Sequence, residues 1–198
     1  MKEPTSLNRT KLILAEGRDA YFFLQAACKI YREGEDVQVI DFGGIANLRY
    51  FLPMIKNLEK FDEVETIVIA RDAERDAASA IQSIKGSLQK ASLPVPPRAF
   101  SFQSGENVKI AFVLFPGPEQ KEGTLEDLCL LTVGNDPIME CVDSFVSCVE
   151  EKGGRLARNH KHRLHSFLAG KAEYVGLKIG EAARANAWNF EHNALEPF

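Results

Sequence analysis

The chain has 198 residues, 45% apolar and 26% charged, which fits one folded domain and excludes a large multidomain enzyme, a disordered tail or a collagen-like repeat. Its 28 acids and 24 bases give a formal charge of −4, which argues against a protein that coats DNA by bulk electrostatics, because such binding neutralises many phosphates. No apolar run approaches the roughly 18 residues of a membrane span. Met1 to Thr5 also lacks the charged-then-apolar pattern of a secretory signal, so the expectation is a cytoplasmic protein that makes no membrane contact.

Leu12–Ala15, Val37–Ile40 and Thr66–Ala70 are short apolar runs rich in branched residues, as buried parallel strands are. Helical spacing separates them. One helix is expected from about Ala20 to Arg32, stopping at Gly34, and a second from Ala46 to Leu58, with Pro53 able to bend it. A third is expected from Glu74 to Lys90. Arg98–Phe102 and Lys109–Phe115 read as two further strands about a turn at Ser104–Asn107. Thr124 opens a helix with Asp127 in capping-box position, Asp136–Pro137 opens another, and Arg155–Ala169 forms a last one. Trp188, Phe190, Leu195 and Phe198 are expected to pack on the body. The alternation defines an α/β fold, a three-layer, mostly parallel sheet. Residues 1–134 form its core, and residues 135–198 form a helical C-terminal extension.

The four cysteines, Cys28, Cys129, Cys141 and Cys148, have no zinc-ligand spacing and read as reduced, mostly core thiols. Charge is uneven along the chain. Lys152 to Lys171 contains six Lys or Arg, three His (His160, His162, His165) and no acid, so this stretch carries +6 and the remainder −10. The segment is either a solvated helix face or a guide for a phosphate-bearing substrate.

Ligands of open parallel sheets gather beyond the carboxyl ends of the strands, and there the acids accumulate. Glu16-Gly17 follows the first strand, Asp41-Phe42-Gly43-Gly44 the second, Asp72-Ala73-Glu74 with Asp76 the third, and Glu126-Asp127 lies beyond the fourth. Converging carboxylates repel unless a cation or proton relieves them, and hard oxygen ligands suit Mg²⁺ or Mn²⁺. Each acid also has a local reading. Asp72 would cap the following helix, with Glu74 and Asp76 in its first turn. Glu126 and Asp127 would be first-turn acids, Glu16 a salt-bridge partner, and Gly43-Gly44 a tight turn rather than a phosphate cradle.

The ordered set Leu-Ile-Leu-Ala-Glu16-Gly17, then Ile-Val-Ile-Ala-Arg-Asp72-Ala73-Glu74, resembles a TOPRIM domain, the fold shared by topoisomerases, primases and nucleases of the overcoming-lysogenisation-defect class. Gly123-Thr124-Leu125-Glu126-Asp127-Leu128 and the stretch from Lys161 to Ala182 resemble small stand-alone TOPRIM-related proteins of unassigned activity. The resemblance implies Glu16 as general acid/base or metal ligand, Asp72 and Glu74 as Mg²⁺ ligands, and Glu126 as a second-metal ligand. Position 74 carries Glu where the family pattern has Asp. The late lysine of the nuclease class falls on Lys161 or Lys171, and spacing does not choose between them.

The resemblance therefore implies metal-assisted phosphoryl transfer, with Lys161 neutralising developing charge. The substrate would be nucleic acid or a nucleotide reaching the basic segment Lys152–Lys171. Topoisomerisation lacks an evident nucleophilic tyrosine and priming lacks a zinc module, which leaves hydrolysis. The competing expectation is a non-catalytic TOPRIM-fold module acting with a protein partner such as an ATPase. A phospho-accepting receiver fits less well, because Glu16 is followed by Gly17 rather than a second acid.

Overall fold

The structure is a computed structural model describing residues 6–32 and 35–198. In chain order its elements are β1 (Lys11–Glu16), α1 (Gly17–Ile30), β2 (Val37–Gly43), α2 (Ile45–Lys56), β3 (Thr66–Asp72), α3 (Ala77–Lys90), β4 (Gln103–Ser104), β5 (Lys109–Phe115), α4 (Leu125–Thr132), α5 (Ile138–Glu151), α6 (Asn159–Ala169) and α7 (Ile179–Arg184). The strands form one sheet in the order β2-β1-β3-β5-β4, parallel except for β4, which runs antiparallel along the edge of β5. The fold is α/β with helices on both faces, as the alternation of β-branched runs and helical periods predicts.

Strand alternation divides the apolar residues into two clusters. Leu12, Leu14, Ile67, Ile69, Phe112 and Leu114 point to α2 and α3, where Leu48, Phe51, Leu52, Ile55, Ile84 and Leu88 cover them. Ala15, Ala70, Val113 and Phe115 point the other way, beneath α1, α4, α5, α6 and α7. Residues on either side of 134/135 share this second cluster, which joins Leu128, Cys129 and Val133 to Met139, Val142, Leu164 and Phe167. Trp188, Phe190 and Leu195 are buried in it, and the ring of Phe198 stacks on Phe115 at 5.3 Å.

Several boundaries differ from those read in the sequence. The first helix begins at once after β1, at Gly17, and its predicted stop at Gly34 lies outside the described residues, as does the segment Met1–Thr5. The third helix begins at Ala77 rather than Glu74, because Asp76 caps it, accepting from Ala78 N–H at 2.9 Å. The strand expected over Arg98–Phe102 does not form, since Phe100 adopts φ 57° and gives its N–H to the Phe112 carbonyl; the short strand beside β5 is Gln103–Ser104, which includes a residue expected in the turn. The basic helix begins at Asn159 rather than Arg155. Of the cysteines only Cys129 is buried; Cys28 is half-buried, and Cys141 and Cys148 are exposed. Among the described residues no helix is long and apolar enough to cross a membrane.

The passage from β1 into α1 leaves no room for a connecting loop, and Gly17 makes the turn with φ +84°. An added Cβ would meet nothing within 4 Å, so the constraint is purely backbone conformation. Gly17→Ala should therefore cost about 1–2 kcal/mol, read as a lower urea midpoint with unchanged slope.

Candidate functional site

The strand order reverses direction about β1: the chain goes from β1 to β2 on one side, then crosses to β3 on the other. The carboxyl ends of β1 and β3 therefore flank the switch point, where α/β sheets open a crevice. Glu16 ends β1 and Asp72 ends β3. Their neighbours on each strand place them on opposite faces. Glu16 leaves the sheet on the α2–α3 side with Leu14, and Asp72 on the α4 side with Ala70.

Glu16 meets Arg71, whose Nε lies 3.2 Å from Glu16 Oε2. Arg71 is 3% exposed. Its Nε–H is directed at the Asp72 carbonyl (3.3 Å) and its other nitrogen reaches the Ala80 carbonyl of α3 (3.5 Å). The contact with Glu16 is thus an ion pair without a hydrogen bond, and Glu16 Oε2 is buried with no hydrogen-bond donor. Burial pushes the Glu16 carboxyl above its ordinary value; the Arg71 charge opposes this and the Glu74 charge adds to it. Burial likewise lowers Arg71, against the pull of Glu16, Asp72 and Glu74.

Asp72 does not cap α3. Its Oδ1 accepts the N–H of Leu125, 53 residues away, at the start of α4 (2.8 Å). Burial pushes its carboxyl up to about 7; the Leu125 N–H counteracts this, while the charges of Glu126, Glu16 and Glu74 raise it further. Glu74 is not a first-turn helix residue. It has φ 57° and exchanges both backbone hydrogen bonds with Gly123, at 2.8 and 2.7 Å, which fastens the loop after β5 to the end of β3.

Thr124 caps α4 and forms the expected box with Asp127, whose Oδ2 accepts the Thr124 N–H at 2.8 Å. Glu126 and Asp127 are both first-turn acids, but their surroundings differ. Glu126 is 6% exposed, and its Oε1 lies 2.6 Å from the Lys161 ammonium. Burial acts to raise its carboxyl, yet the hydrogen bond to Lys161 and its own backbone N–H outweigh burial, and the net direction is down. Lys171 is ion-paired with Asp136 elsewhere, so of the two lysines only Lys161 reaches the acids.

An open cleft of about 910 Å³ joins these groups. Asp72, Glu74, Glu126 and Asp127 line it together with Arg75 and with Arg158, His160, Lys161 and Arg163, from α6 and the turn before it; Asp143 of α5 lines it too. Arg163 is paired with Asp143 of α5. Of the three histidines, His160 is half-buried in the cleft, while His162 and His165 are exposed. Glu16 does not line the cleft; it lies on the α2–α3 face of the sheet, beside Arg71. Asp41 is used in the frame, its Oδ1 accepting from Gly17 N–H (3.1 Å) and Gly43 N–H (2.7 Å), so Gly43 with φ 78° serves a turn.

Sequence reasoning passed over Arg71 as a site residue. The available signal was a charged residue directly continuing the buried run Ile67–Ala70, where an unpaired charge is costly. Among the described residues, no three His, Cys, Asp or Glu side chains stand close enough together, as placed, to hold a metal ion. The donors at the cleft, Asp72, Glu74 and Glu126, are carboxylates, the kind of ligand a hard cation takes, and Asp72 carries the repulsion of Glu126, Glu16 and Glu74.

Fold and site together define an α/β protein with a carboxylate crevice at the strand switch point and a basic helix facing it. The chain belongs to the family described as protein of unknown function DUF3226, which matches residues 10–198. Comparison with the curated proteins and with the solved structures gives no match.

Proposed function

We propose that this protein is a metal-dependent phosphoryl-transfer enzyme, a nuclease or phosphohydrolase with a TOPRIM-type acidic site. The observation that carries the reading is Asp72, held at the switch point, pushed up to about 7 by burial among three other carboxylates, and open to a cleft that Arg75, Arg158 and Lys161 also line. A protonated carboxyl or a bound cation relieves that repulsion. The cation is the form that phosphoryl transfer uses. Asp72 and Glu74 would hold Mg²⁺ or Mn²⁺ with Glu16 on the α2–α3 face, and the bound ion would polarise the phosphoryl oxygen and activate water. Arg158 and Arg75 would receive the substrate's phosphates, and the Leu125 N–H keeps Asp72 turned toward the cleft.

The test is hydrolysis of DNA, RNA and nucleotide phosphodiesters with Mg²⁺ or Mn²⁺. Activity that disappears with EDTA and in Glu16→Gln supports the reading, and the absence of activity on all three substrate classes overturns it.

A second reading rests on a different observation. Arg71 is ion-paired with Glu16 and Lys161 with Glu126, so two of the four acids already face a fixed cation. That arrangement suits a non-catalytic module acting with a protein partner such as an ATPase. Co-purification with a partner, unaffected by Glu16→Gln, would favour it.

A further inference from the structure

α4 lines the cleft along one face: Glu126 and Asp127, then Leu130 and Leu131, then Gly134 just beyond its end, follow at one-turn spacing over a rise of about 12 Å. The two ends of that line differ in chemistry. Toward the start of α4 it is ionic. The Leu125 N–H holds Asp72 there, Lys161 pairs with Glu126, and Arg158 stands one turn before Lys161, its carbonyl accepting the Lys161 N–H at 3.0 Å. Toward the end of α4 it is apolar, with Leu131 47% exposed and Met139 of α5 lining the same cleft. Asp143, one turn after Met139 and ion-paired with Arg163, gives that apolar patch a charged border. At about 910 Å³ the cleft has the size of a small-molecule pocket.

We infer that the cleft binds a free nucleotide, its phosphates among Arg75, Arg158 and Lys161 and its base against Leu131 and Met139. This rests on the phosphoryl-transfer reading above and names the substrate. A base has two apolar faces and a polar rim, and the patch has the matching pattern. Leu131 and Met139 meet a face, while the Asp143 carboxylate accepts from the rim and the Arg163 guanidinium donates to it. An acyl chain would find one helical turn of apolar wall before charge resumes. A long strand fits less well too, because the chain outside Lys152–Lys171 carries −10 and repels phosphates that continue beyond the cleft.

The experiment is calorimetric titration of the full chain, with Mg²⁺ present, by the non-hydrolysable α,β-methylene-ADP and separately by methylenediphosphonate, which has the same phosphorus groups and no nucleoside. The nucleotide should bind at least about tenfold more tightly, the return on covering a half-exposed leucine and its neighbour. Leu131→Ser should erase most of that ratio and leave the diphosphonate affinity unchanged, whereas Leu131→Met should keep it. Arg158→Ala should weaken both ligands alike. A deoxyadenylate decamer should bind no more tightly than the nucleotide.

Equal affinity for the two ligands, a ratio that survives Leu131→Ser, a tighter decamer, or no nucleotide binding at millimolar concentration would each overturn the inference and leave the phosphoryl-transfer reading to its own hydrolysis test. Base-dependent binding with no turnover of DNA, RNA or nucleotides would instead overturn that reading and leave a nucleotide site that only binds.

Discussion

Replacing Arg71 with Met should cost about 3–5 kcal/mol of folding stability, the largest loss expected from any single change at the site. The substitution preserves much of the side chain's volume and removes its charge and its N–H donors. Glu16, already lacking a donor on Oε2, would be left beneath α2 and α3 with no counter-charge. The Asp72 and Ala80 carbonyls would lose their guanidinium donors as well. Urea unfolding at pH 7 measures the effect. Adding Glu16→Gln to Arg71→Met should restore a large part of the loss, because the stranded charge, rather than missing packing, is its main cause. A single variant as stable as wild type would show that water screens the pair.

Asp72→Asn should have the opposite sign. The folded carboxyl titrates near 7 against an ordinary 3.8, so the folded protein holds this proton more tightly than the unfolded chain does. Its contribution to stability is therefore complete below about 3.8 and lost as pH rises through 7, amounting at most to about 4 kcal/mol. Glu16, also raised, works in the same direction, and Glu126, lowered, works against it at acid pH. Asn keeps an oxygen for the Leu125 N–H and cannot ionise, so the variant should be more stable than wild type at pH 8. The margin should shrink steadily toward pH 5. Paired urea titrations across that range measure it, and a margin independent of pH would assign the effect to packing.

The sheet was legible because burial on both faces leaves a direct signature: Leu12–Ala15, Ile67–Ala70 and Ile110–Phe115 have no polar interruption, and Val37–Ile40 has only Gln38. The capping box at Thr124 was legible for a similar reason, since its two halves are three residues apart. What escaped was non-local. Asp72 and Glu74 stand where first-turn acids stand, and only the partners at Leu125 and Gly123 draw them away from α3. Arg98–Phe102 has the composition of a strand, but the hydrogen bond of Phe100 to Phe112 with φ 57° breaks its pairing. The choice between Lys161 and Lys171 depended on the packing of α6 against α4, which brings Lys161 to Glu126, and on Asp136, which pairs with Lys171 beyond the end of α6; no spacing along the chain encodes either. Arg71 was visible as a letter and unread as a charge.

The mutual bridge between Glu74 and Gly123 bears on how portable this site is. A fragment ending after β5 would contain Glu16, Arg71, Asp72 and Glu74 in their native order, the whole of the most recognisable pattern. It would lack the Leu125 amide that orients Asp72, the Gly123 backbone that holds Glu74 in a left-handed turn, and the Lys161 ammonium. Grafted onto another parallel sheet, the same acids would fall back on the local helix-capping roles that short-range geometry favours. The letters of the motif travel with one half of the chain, and their aim is supplied by the other.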